Sequence, residues 1–239
     1  MSRKKKKNIL QKAARKLIVQ TMPKSPIAEQ YRTLRTNIKF SKPAEELRSI
    51  LITSTFASEG KSTTSANLAC LFAEEGKRVL FIDADMRKPT VQYTFHLTNT
   101  IGTSSVLSKQ ENVGEVIRQT EIPNLDIITS GPIPPNPSEL LGGRMLTEMI
   151  DQYKKIYDLI IFDAPPLLAV TDAQIIANAV DGTILVIDSQ TTDKKAAEKA
   201  TEVLKTSNAT ILGAVLNNIE ADKNSSYYYY NSYYGYSNE

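Results

Sequence analysis

The sequence predicts a doubly wound α/β sandwich, a mostly parallel sheet with helices on both faces, and three observations carry that prediction. Six apolar runs of strand length alternate with segments of helical pattern between Arg48 and Asn217. Several runs, such as Leu159-Ile-Ile-Phe162 and Ile184-Leu-Val-Ile187, are continuously apolar rather than alternating, which suits parallel strands covered on both faces. The first run, Ser49-Ile-Leu-Ile-Thr53, breaks at a small-residue loop, Thr55-Phe-Ala-Ser-Glu-Gly60-Lys61-Ser62-Thr63, and restarts as a helix.

Residues 1–24 are expected to form a flexible basic arm. Ser25-Pro26 reads as an N-cap followed by proline at the first helical position, with helix continuing from Ala28 to Phe40. On it Glu29, Arg32 and Arg35 recur every three residues and share a face, which by itself reads as a solvated helix face. After a turn at Lys42-Pro43, strands are expected at Arg48 to Ser54, Arg78 to Asp83, Leu125 to Thr129, Tyr157 to Asp163, Gly182 to Asp188 and Thr210 to Asn217. Helices are expected at Ser62 to Glu75, Asn112 to Gln119, Ser138 to Tyr153, Asp172 to Asn178 and Asp193 to Ser207. From Glu220 the pattern stops. The remaining tail holds seven of the eleven tyrosines, Tyr227, Tyr228, Tyr229, Tyr230, Tyr233, Tyr234 and Tyr236, without an aliphatic residue to pack beside them, and is expected to be disordered.

At 239 residues the chain is long enough for one large domain, and 41% hydrophobic and 23% charged residues are ordinary for a soluble globular protein. The formal charge of +3 is unevenly spread. Residues 1–16 carry eight basic residues and no acid; subtracting eight from 29 Lys+Arg leaves 21 against 26 Asp+Glu, so the rest of the chain is net −5. The arm fits a solubilising tail or a contact with an anionic membrane or membrane protein. The acidic body argues against nucleic acid as a partner. No apolar region of signal-peptide type follows the charges, and no run approaches the roughly 20 apolar residues of a membrane span. A cytoplasmic protein is expected, with any membrane contact peripheral. A single Cys70, in a helical apolar context, and a single His96 exclude disulfide and zinc frameworks.

A strand–loop–helix passage aims backbone N–H groups, a helix dipole and one lysine at a single place, which makes a phosphate site. The pattern G-x-x-x-x-G-K-[ST] is matched at its Gly60-Lys61-Ser62 end, with Thr55 where the first glycine would stand. Two further acidic stretches follow apolar runs: Asp83-Ala84-Asp85-Met86-Arg87 after Val79-Leu-Phe-Ile82, and Asp163-Ala164-Pro165-Pro166 after Leu159-Ile-Ile-Phe162. Ligands of doubly wound sheets bind beyond the carboxyl ends of strands. A lysine, a hydroxyl and three carboxylates at three such ends are the inventory of a Mg-nucleotide site.

Together, the loop, the Asp-x-Asp-x-Arg and Asp-x-Pro-Pro strand ends, Glu29-x-x-Arg32-x-x-Arg35 and the terminal tyrosines resemble the bacterial tyrosine kinases (BY-kinases). The likeness runs from about residue 25 to 239 and, more narrowly, is to the cytoplasmic CpsD/CapB-type kinases of Gram-positive capsule and exopolysaccharide systems. It implies a P-loop NTPase-like kinase domain over residues 25–219 and a tyrosine-rich tail over 220–239. It implies ATP and Mg2+ as cofactors, with Ser58, Glu59, Gly60, Lys61, Ser62 and Thr63 lining the phosphates. By the same resemblance Lys61 neutralises the β- and γ-phosphates, and Ser62, Asp163 and Asp85 serve the metal. Asp83 then takes the tyrosine proton, or the roles of Asp83 and Asp85 are reversed, and Asn217 contacts the purine. The tail tyrosines would be phosphoacceptors between subunits of a ring-like homo-oligomer whose interface holds Glu29, Arg32 and Arg35. A membrane-embedded activator would hold the kinase at the inner face of the membrane, and other protein-tyrosine substrates fit the same chemistry. Two other readings stand beside this one. A positioning or partitioning ATPase would carry a signature lysine where this chain has Phe56, and an inactive scaffold would bind nucleotide and only display its tyrosines.

Overall fold

The computed structural model describes residues 14–43 and 46–220. A seven-stranded sheet forms the centre: β1 (Ser49–Ser54), β2 (Val79–Asp83), β3 (Arg118–Gln119), β4 (Leu125–Ile128), β5 (Leu159–Asp163), β6 (Gly182–Asp188) and β7 (Ile211–Asn217). Their spatial order is β3-β4-β2-β5-β1-β6-β7. All pairings are parallel except β3 with β4. Around the sheet lie α1 (Ile18–Thr21), α2 (Pro26–Ser41), α3 (Lys61–Glu74), α4 (Val91–Thr94), α5 (Thr103–Leu107), α6 (Pro137–Leu141), α7 (Arg144–Tyr153), α8 (Asp172–Ala179) and α9 (Lys194–Thr206).

Successive strand residues point to opposite faces, so the apolar runs supply two cores at once. Leu51, Leu80, Ile82, Ile160, Phe162 and Leu185 face the core shared with α5 to α9. Ile50, Ile52, Phe81, Ile161, Ile184 and Val186 face the core built with α1, α2 and α3. Helix α3 has apolar or small residues all round because it lies between the sheet and the α1–α2 layer, and twelve of its fourteen residues are buried.

The six expected parallel strands are present, each within two residues of its expected start. The helix expected at Asn112 to Gln119 is instead a turn leading into β3, because Arg118–Gln119 pairs with Asp126 and Ile127. So short a helix containing Gly114 gains little intrinsic stability to compete with that pairing. The helix expected over Ser138 to Tyr153 breaks at Gly142-Gly143 into α6 and α7. Helices α1, α4 and α5 were not expected, being only four or five residues long.

Of the arm expected over residues 1–24, residues 15–19 are packed, residues 20–24 are exposed, and the first thirteen lie outside the described residues. Val19 is buried, and its N–H donates to Asn67 Oδ1 on α3 (3.1 Å). The Asn67 amide in turn donates to the carbonyls of Lys16 (2.9 Å) and Thr63 (2.8 Å), and the Arg15 N–H donates to Thr94 Oγ1 (2.9 Å). Charge density suggested a free arm, but one buried asparagine satisfying strap and helix together ties residues 15–19 down. Ser25 caps α2 as expected, its hydroxyl accepting from Ala28 N.

At the opposite edge of the sheet from the strand ends that carry the acidic motifs, Asp181 gathers the start of β1. Its Oδ2 accepts from Arg48 N (3.0 Å), Ser49 N (2.8 Å) and Ser49 Oγ (2.8 Å), while Lys154 Nζ donates to Oδ1 (2.8 Å). Burial alone would raise this carboxyl, but the bonds from Lys154, Ser49 and Arg48 outweigh it and hold it below the usual carboxylate range. Asp181→Ala is expected to lower the free energy of unfolding by about 2 kcal/mol, from hydrogen bonds to a charged group. Because the folded value is depressed, this contribution is present at neutral pH and is lost as the pH falls through the folded pKa. Urea unfolding of both proteins checks this: the gap is expected at pH 7 and narrows in acid.

Candidate functional site

The carboxyl ends of β1, β2 and β5 are adjacent in the sheet and bring the motifs together. Between β1 and α3 the loop takes left-handed conformations at Ser58 (φ 71°) and Gly60 (φ 96°). The φ favours glycine, and a Cβ on Gly60 would stand 2.3 Å from Asn217 Nδ2 and displace that amide. The loop is braced from within and from β7. Glu59 is buried, its Oε2 accepts from Phe56 N (2.8 Å), and its Oε1 accepts from the Thr192 hydroxyl. Asn217 Nδ2 donates to the Glu59 carbonyl (3.0 Å). Helix α3 then begins with no side-chain cap and no acid in its first turn, leaving its dipole and N–H groups for an anion.

In the sheet register Asp83 lies directly opposite Asp163, so two carboxylates end neighbouring strands side by side. Both are fully buried and Asp85 is nearly so. Lys61 Nζ donates to Asp85 Oδ2 (3.0 Å) and to Asp163 Oδ1 (3.4 Å), and lies 3.3 Å from Ser62 Oγ. Ser65 Oγ also donates to Asp163 Oδ1 (3.3 Å). Burial works against the Lys61 charge, but Asp163 and Asp85 outweigh it and hold the ammonium above the ordinary lysine value. Burial likewise pushes the Asp163 carboxyl up, against the pull of Lys61 and Ser62.

Asp83 and Asp85 have different surroundings. Asp83 Oδ1 accepts from Asp85 N (3.1 Å), and its Oδ2 accepts from Thr90 N and Val91 N (3.1 Å each). Burial, then the neighbouring Asp163, push its carboxyl up to about 8 despite the amide of Val91. Asp85 turns one oxygen to Lys61 and the other to Lys88 N (3.0 Å). Asp163 Oδ2 is buried and has no hydrogen-bond partner. An orphaned carboxylate oxygen among carboxylates and a serine hydroxyl forms an all-oxygen donor set, which fits a hard divalent cation such as Mg2+.

Ser58, Glu59, Gly60, Lys61, Ser62, Thr63, Asp83, Asp85, Asp163 and Asn217 therefore belong to one place. Asn217 packs on the phosphate loop itself, which the expected purine contact did not anticipate. Glu29, Arg32 and Arg35 lie apart, on α2: Glu29 pairs with Arg32 (2.5 Å), while Arg35 turns inward and donates to the Leu71 carbonyl of α3 (3.0 Å). The tail tyrosines lie outside the described residues. Neither the carboxylate role of Glu59 nor the partners of Arg87 follows from any local pattern, since Thr192 and Asp172 lie 133 and 85 residues away.

A family profile described as an AAA domain matches residues 47–218. The chain is 48% identical over 225 residues to the tyrosine-protein kinase YwqD of Bacillus subtilis (strain 168), covering 94% of this chain and 95% of that one. Among solved structures it resembles the chimerical protein CapA2B2, with a TM-score of 0.82 and 42% identity over 87% of this chain and 93% of that one. It also resembles the kinase domain of the Escherichia coli tyrosine kinase ETK, with a TM-score of 0.83 and 31% identity over 90% and 85% of the two chains.

The loop geometry makes Gly60 sensitive to substitution. Gly60→Ala places a Cβ at a left-handed φ costing about 1–3 kcal/mol and against Asn217. ATP affinity measured by calorimetry is expected to fall roughly tenfold or more, 1.4 kcal/mol being a factor of ten. Adding Asn217→Ala relieves the contact but not φ, so recovery is expected to be partial.

Proposed function

Because the chain belongs to the bacterial tyrosine-protein kinases, we propose that it transfers the γ-phosphoryl group of Mg-ATP to protein tyrosines, its own C-terminal cluster among them. The observation that carries this reading is the convergence of Asp83, Asp85 and Asp163 on Lys61 beside an amide-lined loop.

In this reading the first-turn amides of α3 hold the phosphates, and Lys61 leaves its carboxylate partners to donate to the β- and γ-oxygens. Ser62, Asp163 and Asp85 would hold Mg2+, which neutralises charge on the phosphates when bound. A tyrosine hydroxyl has a pKa near 10 and is a poor nucleophile at neutral pH until a base orients it and takes its proton. Both oxygens of Asp83 are engaged by backbone amides. Asp85 is held by one amide and by the Lys61 ammonium that the phosphates would draw away, and it is less deeply buried, which supports Asp83 as the brace of its loop and Asp85 as the group nearer the incoming hydroxyl. The remaining barrier is met by alignment and charge neutralisation.

β7 ends against the phosphate loop, so the tail of residues 220–239 leaves the kinase domain beside the site. The seven residue steps from Glu220 to Tyr227 span about 25 Å at most, which brings a tyrosine within range of its own or a neighbouring site. We assign the transfer to neighbouring subunits of a ring-like homo-oligomer held through Glu29, Arg32 and Arg35. We also assign a membrane-embedded activator that keeps the kinase at the inner face of the membrane, in service of capsule or exopolysaccharide synthesis. No helix among the described residues is long and apolar enough to cross a membrane, which is consistent with attachment through a partner.

Incubation with Mg-ATP and an activator's cytoplasmic segment, followed by mass spectrometry, is expected to place phosphate on the cluster Tyr227 to Tyr236, and Lys61→Met to abolish it. Mixing full-length Lys61→Met with an active chain truncated after Glu220 is expected to phosphorylate the Lys61→Met tail. An unmodified tail in the mixture would place transfer within one chain. ATP hydrolysis without any tyrosine phosphate would identify a positioning-type ATPase.

A further inference from the structure

The three loops that follow β2, β4 and β5 meet at one side chain. Arg87 lies two residues after Asp85. Its Nε donates to Asp172 Oδ2 and its Nη2 to Asp172 Oδ1 (2.9 Å each), a two-pronged guanidinium–carboxylate pair. Nη2 also donates to Ser138 Oγ (3.0 Å), and Ser138 Oγ donates to Asp172 Oδ1 (3.0 Å), closing a ring of three side chains. Asp172 opens α8, downstream of Asp163-Ala164-Pro165-Pro166, and its side chain is fully buried. Ser138 lies in the first turn of α6, after the loop that leaves β4. The Arg87 side chain is about one third exposed at 37% and reaches inward from the surface.

At its inner end the loop carrying Asp83 and Asp85 is tied to β5 by Ala84 N, which donates to the Asp163 carbonyl (2.8 Å), and to α5 by Thr103 Oγ1, which donates to the Asp83 carbonyl (3.0 Å); beyond that it is held by its own backbone, through the bonds of Asp83 to the amides of Asp85, Thr90 and Val91 and of Asp85 to Lys88 N. Those bonds set its shape but do not tie its outer end to the β5 side of the site. Lys61 bridges Asp85 and Asp163 at the inner end. Arg87 is the matching bridge at the outer end.

We propose that Arg87 is a positioning residue: by clamping Asp172 and Ser138 it fixes the Asp83–Asp85 loop relative to the Asp163 loop, and so sets the placement of Asp85 for phosphoryl transfer. The proposal rests on the kinase reading. It assigns Arg87 no contact with nucleotide, and Ser62 and Asp163 would still hold Mg2+ when Asp85 shifts, so its loss acts chiefly on turnover and largely keeps ATP binding. A planar fork is what the site uses, so a point charge does not replace it. Because misplacement by about 1 Å can cost about 100-fold in rate, Arg87→Ala is expected to lower kcat by one to two orders of magnitude. Its KM for ATP and the calorimetric affinity for Mg-ATP stay within about twofold of wild type.

The buried Asp172 carboxylate loses its partner in that variant, so overall destabilisation must be separated from positioning. Guanidinium ion at millimolar concentration fits the space vacated beside Asp172. It is expected to restore a large part of kcat in Arg87→Ala and none in Asp172→Ala, while equimolar urea restores neither. Arg87→Lys, which keeps the charge but not the fork, is expected to remain well below wild type. Thermal midpoints of all variants are recorded alongside. Wild-type turnover in Arg87→Ala, a loss of ATP affinity that accounts for the whole defect, or a defect that guanidinium does not relieve would each overturn the clamp. Failure of the wild-type protein to phosphorylate tyrosine would overturn the kinase reading instead.

Discussion

Three buried carboxylates face one buried ammonium at the carboxyl edge of this sheet. Two of them, Asp83 and Asp163, are register partners on adjacent strands, and Lys61 reaches only Asp85 and Asp163 within salt-bridge distance. Burying charge is costly unless it is paired and hydrogen-bonded, and like charges side by side add to the cost. The chain meets the problem in three ways. Asp83 takes three backbone amides, Asp85 and Asp163 share Lys61, and one oxygen of Asp163 has no hydrogen-bond partner. The composition of the site is intelligible as the charge balance that the proposed reading requires, in which the remaining positive charge arrives with Mg-ATP.

The surrounding fold keeps that arrangement rigid. Thr53 Oγ1 donates to the Pro165 carbonyl (2.8 Å), and the amides of Ala164 and Leu167 donate to Ile52 and Ser54, stitching the Asp163 loop to β1. Helix α3 is enclosed between the sheet and the α1–α2 layer, so Lys61 is delivered by one of the least exposed helices in the protein. On its outer side α3 meets α2 through the Arg35–Leu71 bond and the Lys39–Glu75 pair (2.5 Å). The helix whose Glu29, Arg32 and Arg35 we assign to subunit contacts thus rests on the helix that carries Lys61.

Much of this was legible in the sequence because it is local or periodic. Continuous apolar runs identify parallel strands, and the residue that ends each run lands at the carboxyl edge, so Asp83, Asp163 and the Gly60-Lys61-Ser62 loop could be placed together from spacing alone. What escaped depends on partners distant in sequence. Arg118–Gln119 is a strand only because β4 lies beside it. Residues 15–19 look like part of a basic arm until Asn67, 48 residues beyond Val19, is seen to hold them. Arg35 looks like an outward-facing charge until Leu71 offers a carbonyl. The partners of Arg87 and Glu59 lie even further along the chain. The division between Asp83 and Asp85 depends on which oxygens the backbone already occupies, and no pattern of residue types records that.

The central claim is that the unpartnered Asp163 oxygen and the excess of carboxylates around Lys61 make this a site for nucleotide together with a divalent cation. Its most direct test is the affinity for ATP measured by calorimetry with Mg2+ present and with the metal removed by chelation, in the wild type and in Asp163→Asn. The account predicts that Mg2+ tightens ATP binding to the wild type and that the substitution removes most of that dependence. Equal affinity with and without Mg2+ in the wild-type protein would contradict it.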